Sequence, residues 1–475
     1  MNRTIRLAAV LAALVVAAVA AASAGAATTI SRPVNVTRDD TSQNETPLAI
    51  DPANPSIMVS GANDWNYNDG CGAYVSVDGG RSWTGALPEG YLPGITQFTN
   101  NPDVPGTGAY DAGGDPVVAF SPDGRSAYFV CQAFNFISNT RIQLLLNRGT
   151  VTNTGITWQT TGLTPIATWN GNGKTKGGNG QFPDHESIHV DPATGRIYVT
   201  WAQFDGLQGT HSPVLVATST NGGRSFSAPV KVSVGNIRNN QDQRIVTDEN
   251  GNAYLTFDNG VQGGKGTVLY VTKSTNGGTS WSAPVQFAAL FNPVCVFPPD
   301  CFNISGGGFR AGGTYPTPAY DPVRKRLVVA YADIAGPYAQ MYVTSAPVSD
   351  LSSWTAPRAI AAAPADQFMG ELDIAPNGRY DASFYDREYT SNQLVDLTYA
   401  TSPDGGVTWS HYRVTRAGFD PSTWGVPSSS ALGYRPFIGD YNGIVSTNGS
   451  AAMAFTYVAA PQPFNLEVFF AKATP

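Results

Sequence analysis

Fourteen positions hold most of the side chains in this sequence whose types could do chemistry. Glu45, Asp115, His185, Asp242, Tyr315, Met369 and Asp440 stand at matching places before seven polar turns; Asn63, Gln132, Gln203, Asn259, Asp333, Asp386 and Tyr457 stand at matching places after them. All but Met369 are polar or carry a polar tip, whereas the stretches between them are largely apolar. Period-2 alternation carries the first set one layer deeper, to Ser187, Arg244, Thr317, Glu371 and Asn442, and then to His189 and Asp373. Such a set can bind an acid group through arginine and move protons through carboxylates, or it can be a solvated, self-neutralising lining. Arg244 and Glu371 come from different segments and can pair across a shared channel. Two clusters, Asp184-His185-Glu186 and Tyr385-Asp386-Arg387-Glu388, add ionisable groups to the same ends. Asp386 and Glu371 are the first candidates for proton transfer, and His185 with Tyr315 is an alternative base and acid. Glu45, Asn63, Asp115, Gln203, Asp242, Arg244, Arg310, Asp333, Arg387 and Asp440 are the candidate ligand contacts.

The elements that must position these residues are written as a repeat. A turn of the Asp/Ser-Pro-x-x-Gly or Asn-Gly kind joins two apolar runs near Pro52, Pro122, Pro192, Asn250, Pro322, Pro376 and Asn448. Proline and glycine there supply the fixed and the positive φ that a tight hairpin needs. A third run commonly ends in Ser/Thr-x-Asn/Asp-Gly-Gly-x-Ser/Thr-Trp/Phe, clearest at Ser76–Trp83, Ser219–Phe226, Ser274–Trp281 and Ser402–Trp409. Two eroded copies, Val151–Trp158 and Pro347–Trp354, keep the spacing and the tryptophan. Strand-rich repeats without helical periodicity predict an all-β fold, a β-propeller with four-stranded blades. Seven first hairpins against six of these later turns leave one outer strand missing, and Arg32–Thr37 reads as that orphan strand. The chain is therefore expected to form seven blades, closed by its N-terminal strand pairing with the last blade, which removes exposed strand edges.

Bulk properties narrow the setting. Arg3 and Arg6 precede a short Ala/Leu/Val run that ends in small residues at Ala24-Gly25-Ala26, the pattern of a secretory signal over residues 1–26. Residues 27–475 are then expected to be one propeller domain, exported, without a membrane span and monomeric. Charged residues make up 13% of the chain and the net charge is −7, which argues against a nucleic-acid partner. Four cysteines in an exported chain suit two disulfides. Cys295 and Cys301 flank a short Val-Phe-Pro-Pro-Asp stretch, and Cys71 and Cys131 are expected on one face of neighbouring blades. No Cys-x-x-Cys or neighbouring histidine supports a metal reading of these cysteines.

The Ser-x-Asp/Asn-Gly-Gly-x-Ser/Thr-Trp/Phe motif is the Asp box, and through it the chain resembles the sialidase or BNR-repeat superfamily of secreted propellers. The resemblance spans essentially the whole mature chain. It implies that the boxes are structural and face away from the substrate, and that the opposite channel mouth acts on extracellular carbohydrate. Trp65, Tyr67, Tyr110, Phe182, Phe204, Tyr315 and Tyr434 could stack on sugar rings there or simply pack the loops. A sialidase would carry three acid-binding arginines, the first in a Phe/Tyr-Arg-Ile-Pro motif. This sequence has no Arg-Ile-Pro, and the family's sialidases resemble six-bladed rings. A glycoside hydrolase using two carboxylates is the favoured reading. The alternatives are a non-catalytic propeller binding a glycan, a protein or a cation, an exo-sialidase, and a polysaccharide lyase in which Arg244 or Arg310 neutralises a uronate. No organic cofactor is expected; an acidic mouth could take Ca²⁺ through oxygen ligands.

Overall fold

The computed structural model describes residues 27–38, 41–64, 70–86, 91–98, 103, 105–135, 141–169, 181–205, 211–235, 237–260, 267–298, 301–423, 436–458 and 466–475. Residues 1–26, where the leader was expected, and Trp65, Tyr67 and Tyr434 lie outside these residues. The described chain is all-β, with seven blades arranged as a propeller. The inner strands, in order, are Leu48–Ile50, Ala112–Phe120, Phe182–Val190, Gln241–Thr247, Thr317–Asp321, Gln367–Ile374 and Gly443–Thr447. Each pairs antiparallel with the strand that follows it across a short turn. In blade three, for example, Phe182–Val190, Ile197–Phe204, Val214–Ser219 and Val230–Lys231 lie side by side in sequence order.

The ring closes as the unmatched seventh hairpin requires. Val34 and Asn35 pair with Phe470 and Phe469, and Thr29 and Ile30 pair with Thr474 and Ala473, on the outer edge of blade seven. That edge would otherwise expose a row of unpaired N–H and C=O groups. Between blades, apolar side chains fill the wedge. Trp201 is fully buried and meets Trp169 edge-on at 6.1 Å. Burying a large apolar side chain of this kind is worth roughly 1.5–3 kcal/mol.

The Gly-Gly turns do structural work of a definable kind. Asp78 accepts the N–H groups of Arg81 and Ser82, both at 2.9 Å, and the hydroxyl of Ser82 at 2.6 Å. Asp404 holds Val407 and Thr408 in the same way. Gly80 has φ +87°, and a Cβ there would stand 2.1 Å from the ring of Phe470, so the position needs glycine on two counts. Trp83 then packs on Phe470 at 5.4 Å, fastening the turn of blade one to blade seven.

Both disulfides join the expected partners, with Cα separations of 6.5 Å for Cys71–Cys131 and 5.8 Å for Cys295–Cys301. The first ties blade one to blade two. The second staples an insertion between blades four and five, whose strands are Val296–Phe297 and Cys301–Phe302. This insertion runs across the ring: Arg310 N–H donates to Pro436 O at 2.8 Å and Gly312 N–H to Gly439 O at 3.1 Å, just before blade seven. Its Phe309 packs on Phe368 of blade six. No helix among the described residues is long and apolar enough to cross a membrane.

Candidate functional site

The inner strands share one irregularity, and it builds the site. In blades two, three, four and six the first-to-second strand register slips so that two inner residues oppose one partner, at Asp115-Pro116, His185-Glu186, Asp242-Gln243 and Met369-Gly370. These are β-bulges. Their first residues have φ of +52°, +52°, +59° and +51°, and Glu45 of blade one matches them at +59°. This left-handed backbone costs an L-residue about 1–2 kcal/mol.

At the axis stands His185. Its Nδ1 lies 2.7 Å from Asp242 Oδ1 and its Nε2 lies 3.3 Å from Asp440 Oδ2, all three residues being buried. Burial opposes a charge on the imidazole, but Asp242 and then Asp440 overcome it and hold the His185 pKa well above its ordinary value. Tyr315 meets the ring edge-on at 5.2 Å. Arg310, delivered by the stapled insertion, donates to Asp440 and lies over Phe437 and Phe297. Burial works against the Asp440 carboxylate, yet Arg310 and His185 pull its pKa below the usual value.

Around this core more carboxyls crowd the mouth. Asn63 donates to the Glu45 carboxylate and accepts the backbone N–H of Asp115 at 2.7 Å, linking blades one and two. Burial first, then Asp115 and Asp440, pushes Glu45 well up. Asp184 is half-buried, accepts from Gln241, and is raised to about 7, chiefly by burial. Below this layer, Arg244 and Glu371 do pair across the channel through two 2.9 Å bonds. They line a cavity of about 250 Å³ with Glu186, Gln243, Tyr441 and Asn442 among its walls. Deeper still, His189 contacts Thr247 at 2.8 Å, burial lowering its pKa to about 4, and burial raises Asp373 to about 7.

The expected basin is therefore not one set. Asp333, at the end of its strand, accepts the N–H groups of Phe291, Asn292 and Ile334, and Asp386 accepts the Glu388 N–H and Gln367. Asp386 caps the connection that leaves its second strand, and Asp333 caps both its own exit and the chain entering the insertion after blade four, because chain turning there presents free N–H groups that need acceptors. Asp386 is nonetheless raised to about 6, mainly by burial. Arg387 is buried too, its guanidinium donating to Ser305 O and Gln393 O, where it anchors the insertion. Gln203 bonds Trp169 and Asp205. Phe182 and Phe204 stack on each other at 4.9 Å, and Tyr110 bonds Gln143.

Alternation passed over Glu186, Gln243 and Tyr441 as axial residues. The bulge is the reason for the first two: it adds a residue and breaks the parity on which alternation relies. A repeated pair of residues at matching places, His185-Glu186 and Asp242-Gln243, was the available signal. Among the described residues, no group of three or more His, Cys, Asp or Glu is arranged to hold a metal ion.

No family model matches the chain, and no curated protein matches it. Solved structures do. The BP39L lectin from Burkholderia pseudomallei superposes with a TM-score of 0.50 at 13% identity, over 90% of this chain and 96% of that one. A GH93 α-L-arabinofuranosidase of Fusarium graminearum gives 0.46 at 9% identity, covering 93% and 97%. The Hadza microbial sialidase Hz136 gives 0.46 at 15%, covering 89% and 74%. The fold is the seven-bladed β-propeller.

Proposed function

We propose that the protein is an exported, single-domain propeller, with residues 1–26 as its leader, that hydrolyses a glycan at the mouth formed by Asp184, Asp115, Glu45 and Asp440. One observation carries this reading: a single mouth holds carboxyl groups biased to opposite protonation states. Asp184 is raised to about 7 and can donate a proton near neutrality, while Arg310 and His185 keep Asp440 ionised. A pair so divided suits a glycosidic bond, which needs an acid on the leaving oxygen and a carboxylate opposite. Asp184 takes the role of acid, and Asp440, held in place by His185 and Arg310, is the ionised carboxylate of the pair.

The same geometry weighs against two other chemistries. The axial arginines Arg244 and Arg310 are already matched by Glu371 and Asp440, which favours a neutral or cationic glycan over a sialate or uronate. His185 held as an imidazolium is a poor base for a lyase. The test is release of reducing ends from a panel of neutral and amino polysaccharides, with absorbance of unsaturated products read in parallel. Turnover that Asp184→Asn abolishes, with the melting transition kept, supports the reading. Ultraviolet-absorbing products, sialic acid release, or glycan binding with no turnover would replace it.

A further inference from the structure

A second cavity lies at the far end of the strands from the mouth, in the wedge between blades five and six. In blade six the bulge at Met369 marks the mouth end, and Tyr380 pairs with Ser402, where the Gly-Gly turn begins, at the other. Six residues after their hairpin prolines, blades two and three carry Tyr128 and Tyr198. Each meets the Gly-Gly turn of the next blade: a Cβ on Gly222 would stand 3.6 Å from Tyr128 Oη, and one on Gly278 would stand 3.1 Å from the Tyr198 ring. Blade five has Val328 at that place, six residues after Pro322, and the shorter side chain leaves the wedge less filled. A cavity of about 230 Å³ lies there, lined by Arg326, Ser345 and Arg358 of blade five and by the turn Asp404-Gly405-Gly406-Val407 of blade six.

The rim is basic and open to solvent: Arg326 is half-buried and Arg358 exposed. Strand alternation puts both on the face towards blade six, since Val328 pairs with Ser345, and Val343 with Arg358. Arg326 donates through Nε to Ser345 Oγ at 2.9 Å and through Nη2 to Ser345 O at 2.8 Å, so its head rests at Ser345 and Nη1 keeps no described acceptor. At about 3.4 Å per residue and 4.8 Å between strands, the Cα atoms of Ser345 and Arg358 lie roughly 8 Å apart, a gap that the Arg358 side chain and one bound group together span. Neither arginine meets a carboxylate among the described residues. Asp404 turns its oxygens to Ser402 Oγ, the N–H groups of Val407 and Thr408 and the Thr408 hydroxyl, and Asp321 pairs with Arg324. Val407, 60% exposed, adds an apolar wall to the same space. We propose that this cavity binds a phosphate or sulfate ester, its oxyanion between Arg326 and Arg358 and its organic body against Val407. Guanidinium forks are the preferred partners of such oxygens. Two forks from different strands suit a group with three terminal oxygens, whereas one fork already satisfies a planar carboxylate. The charge of Asp404 remains at the rim and tempers the affinity.

The inference does not depend on hydrolysis at the mouth, and it is tested by binding alone. Isothermal titration of the full mature chain with phenyl phosphate and with phenyl sulfate, at fixed ionic strength, should give saturable binding with a dissociation constant below about 10 mM. Phenol, which lacks the oxyanion, and benzoate, whose carboxylate is planar, should bind roughly tenfold more weakly or worse. Arg358→Met, which breaks no described contact, should weaken ester binding about tenfold. Val328→Tyr restores the ring that blades two and three carry and should weaken it by a similar factor, with circular dichroism unchanged. Binding of both esters identifies a general oxyanion site; binding of one alone identifies the phosphate or the sulfate as its ligand. Binding of neither ester, phenol or benzoate bound as tightly as the esters, or an unweakened R358M protein overturns the proposal, as does a folded V328Y protein that binds like wild type. The ligand controls and R358M decide the matter even where V328Y fails to fold.

Discussion

Replacing Arg244 by methionine probes the axial electrostatics most directly. Arg244 grips Glu371 through two 2.9 Å bonds; its own side chain is 28% exposed and that of Glu371 only 6%. Breaking a fully buried ion pair costs about 3–5 kcal/mol, and an exposed pair is worth about 0–1. With one partner sealed and the other open to water, the expected loss is about 2–3 kcal/mol at pH 8. The pH dependence follows from the direction of the shift. Burial already raises the Glu371 carboxyl and Arg244 pulls it back, so R244M raises it further. A carboxyl whose folded pKa exceeds its unfolded value of about 4.3 destabilises most above the folded pKa, and not at all below the unfolded one. The deficit of R244M should therefore be largest at pH 8 and shrink towards pH 4.5. Adding Glu371→Gln removes the orphaned charge and should recover most of the loss at pH 8. Urea unfolding of wild type, both single variants and the double variant, followed by tryptophan fluorescence at the two pH values, gives the cycle. Equal deficits at both pH values, or a double variant no better than R244M, would refute the argument that charge burial governs this pair.

The remaining perturbations address the scaffold and the mouth. Asp78→Ala removes acceptors for two N–H groups and two hydroxyls at an exposed turn and should cost about 1 kcal/mol, as a lost cap does, leaving glycan binding unchanged. Since its side-chain and backbone hydrogen bonds outweigh burial and lower the Asp78 pKa to about 2, that contribution should be full above pH 4 and fade towards pH 2 in a thermal melt. Replacing Cys295 and Cys301 by serine frees a short loop and should lower stability by about 2 kcal/mol; because the stapled insertion delivers Arg310 to Asp440, glycan affinity should fall with it, and intact affinity would detach the insertion from the site. At the bulge of blade two, Asp115→Asn should keep the fold within about 0.5 kcal/mol, whereas Asp115→Val should lose about 1–2 kcal/mol, since a β-branched residue resists φ +52°. Denaturant midpoints compare the two, and a valine variant as stable as the asparagine one would remove backbone strain from the account.

What the sequence reveals and what it conceals divides along the range of the interactions. Pro192 and Gly195 mark a hairpin because their φ preferences act within four residues, so blade number and ring closure were legible from local chemistry. The pairing of Arg244 with Glu371 was also legible, since alternation holds in both strands below the bulges. Asp333 and Asp386 look identical in register to Asn63, which does reach Glu45, yet they bind backbone N–H groups of connections whose path no short pattern specifies. Arg310 reaches the axis only because its segment crosses to blade seven, a tertiary fact. Glu186 was hidden by a single inserted residue, which turns the alternation that finds Ser187 into an argument against its neighbour.

The bulges also separate scaffold from chemistry. Five of the nine non-glycine residues with positive φ, namely Glu45, Asp115, His185, Asp242 and Met369, are bulge or bulge-equivalent residues of inner strands. At about 1–2 kcal/mol each, this strain is comparable to a domain's whole net stability of about 5–15 kcal/mol, so the closed ring must impose it. Met369 is the instructive member. It adopts the same conformation, is buried, and carries no group that could bind or titrate, so the bulge is a property of the ring and not a mark of function. Strain alone therefore assigns no role to Asp115 or His185. Their chemistry rests on what surrounds them: two carboxylates on one imidazole, a shared asparagine between Glu45 and Asp115, and an acid at Asp184 poised near neutrality. The ring brings equivalent positions together, and the side chains placed there decide whether the mouth binds, reacts or merely holds water.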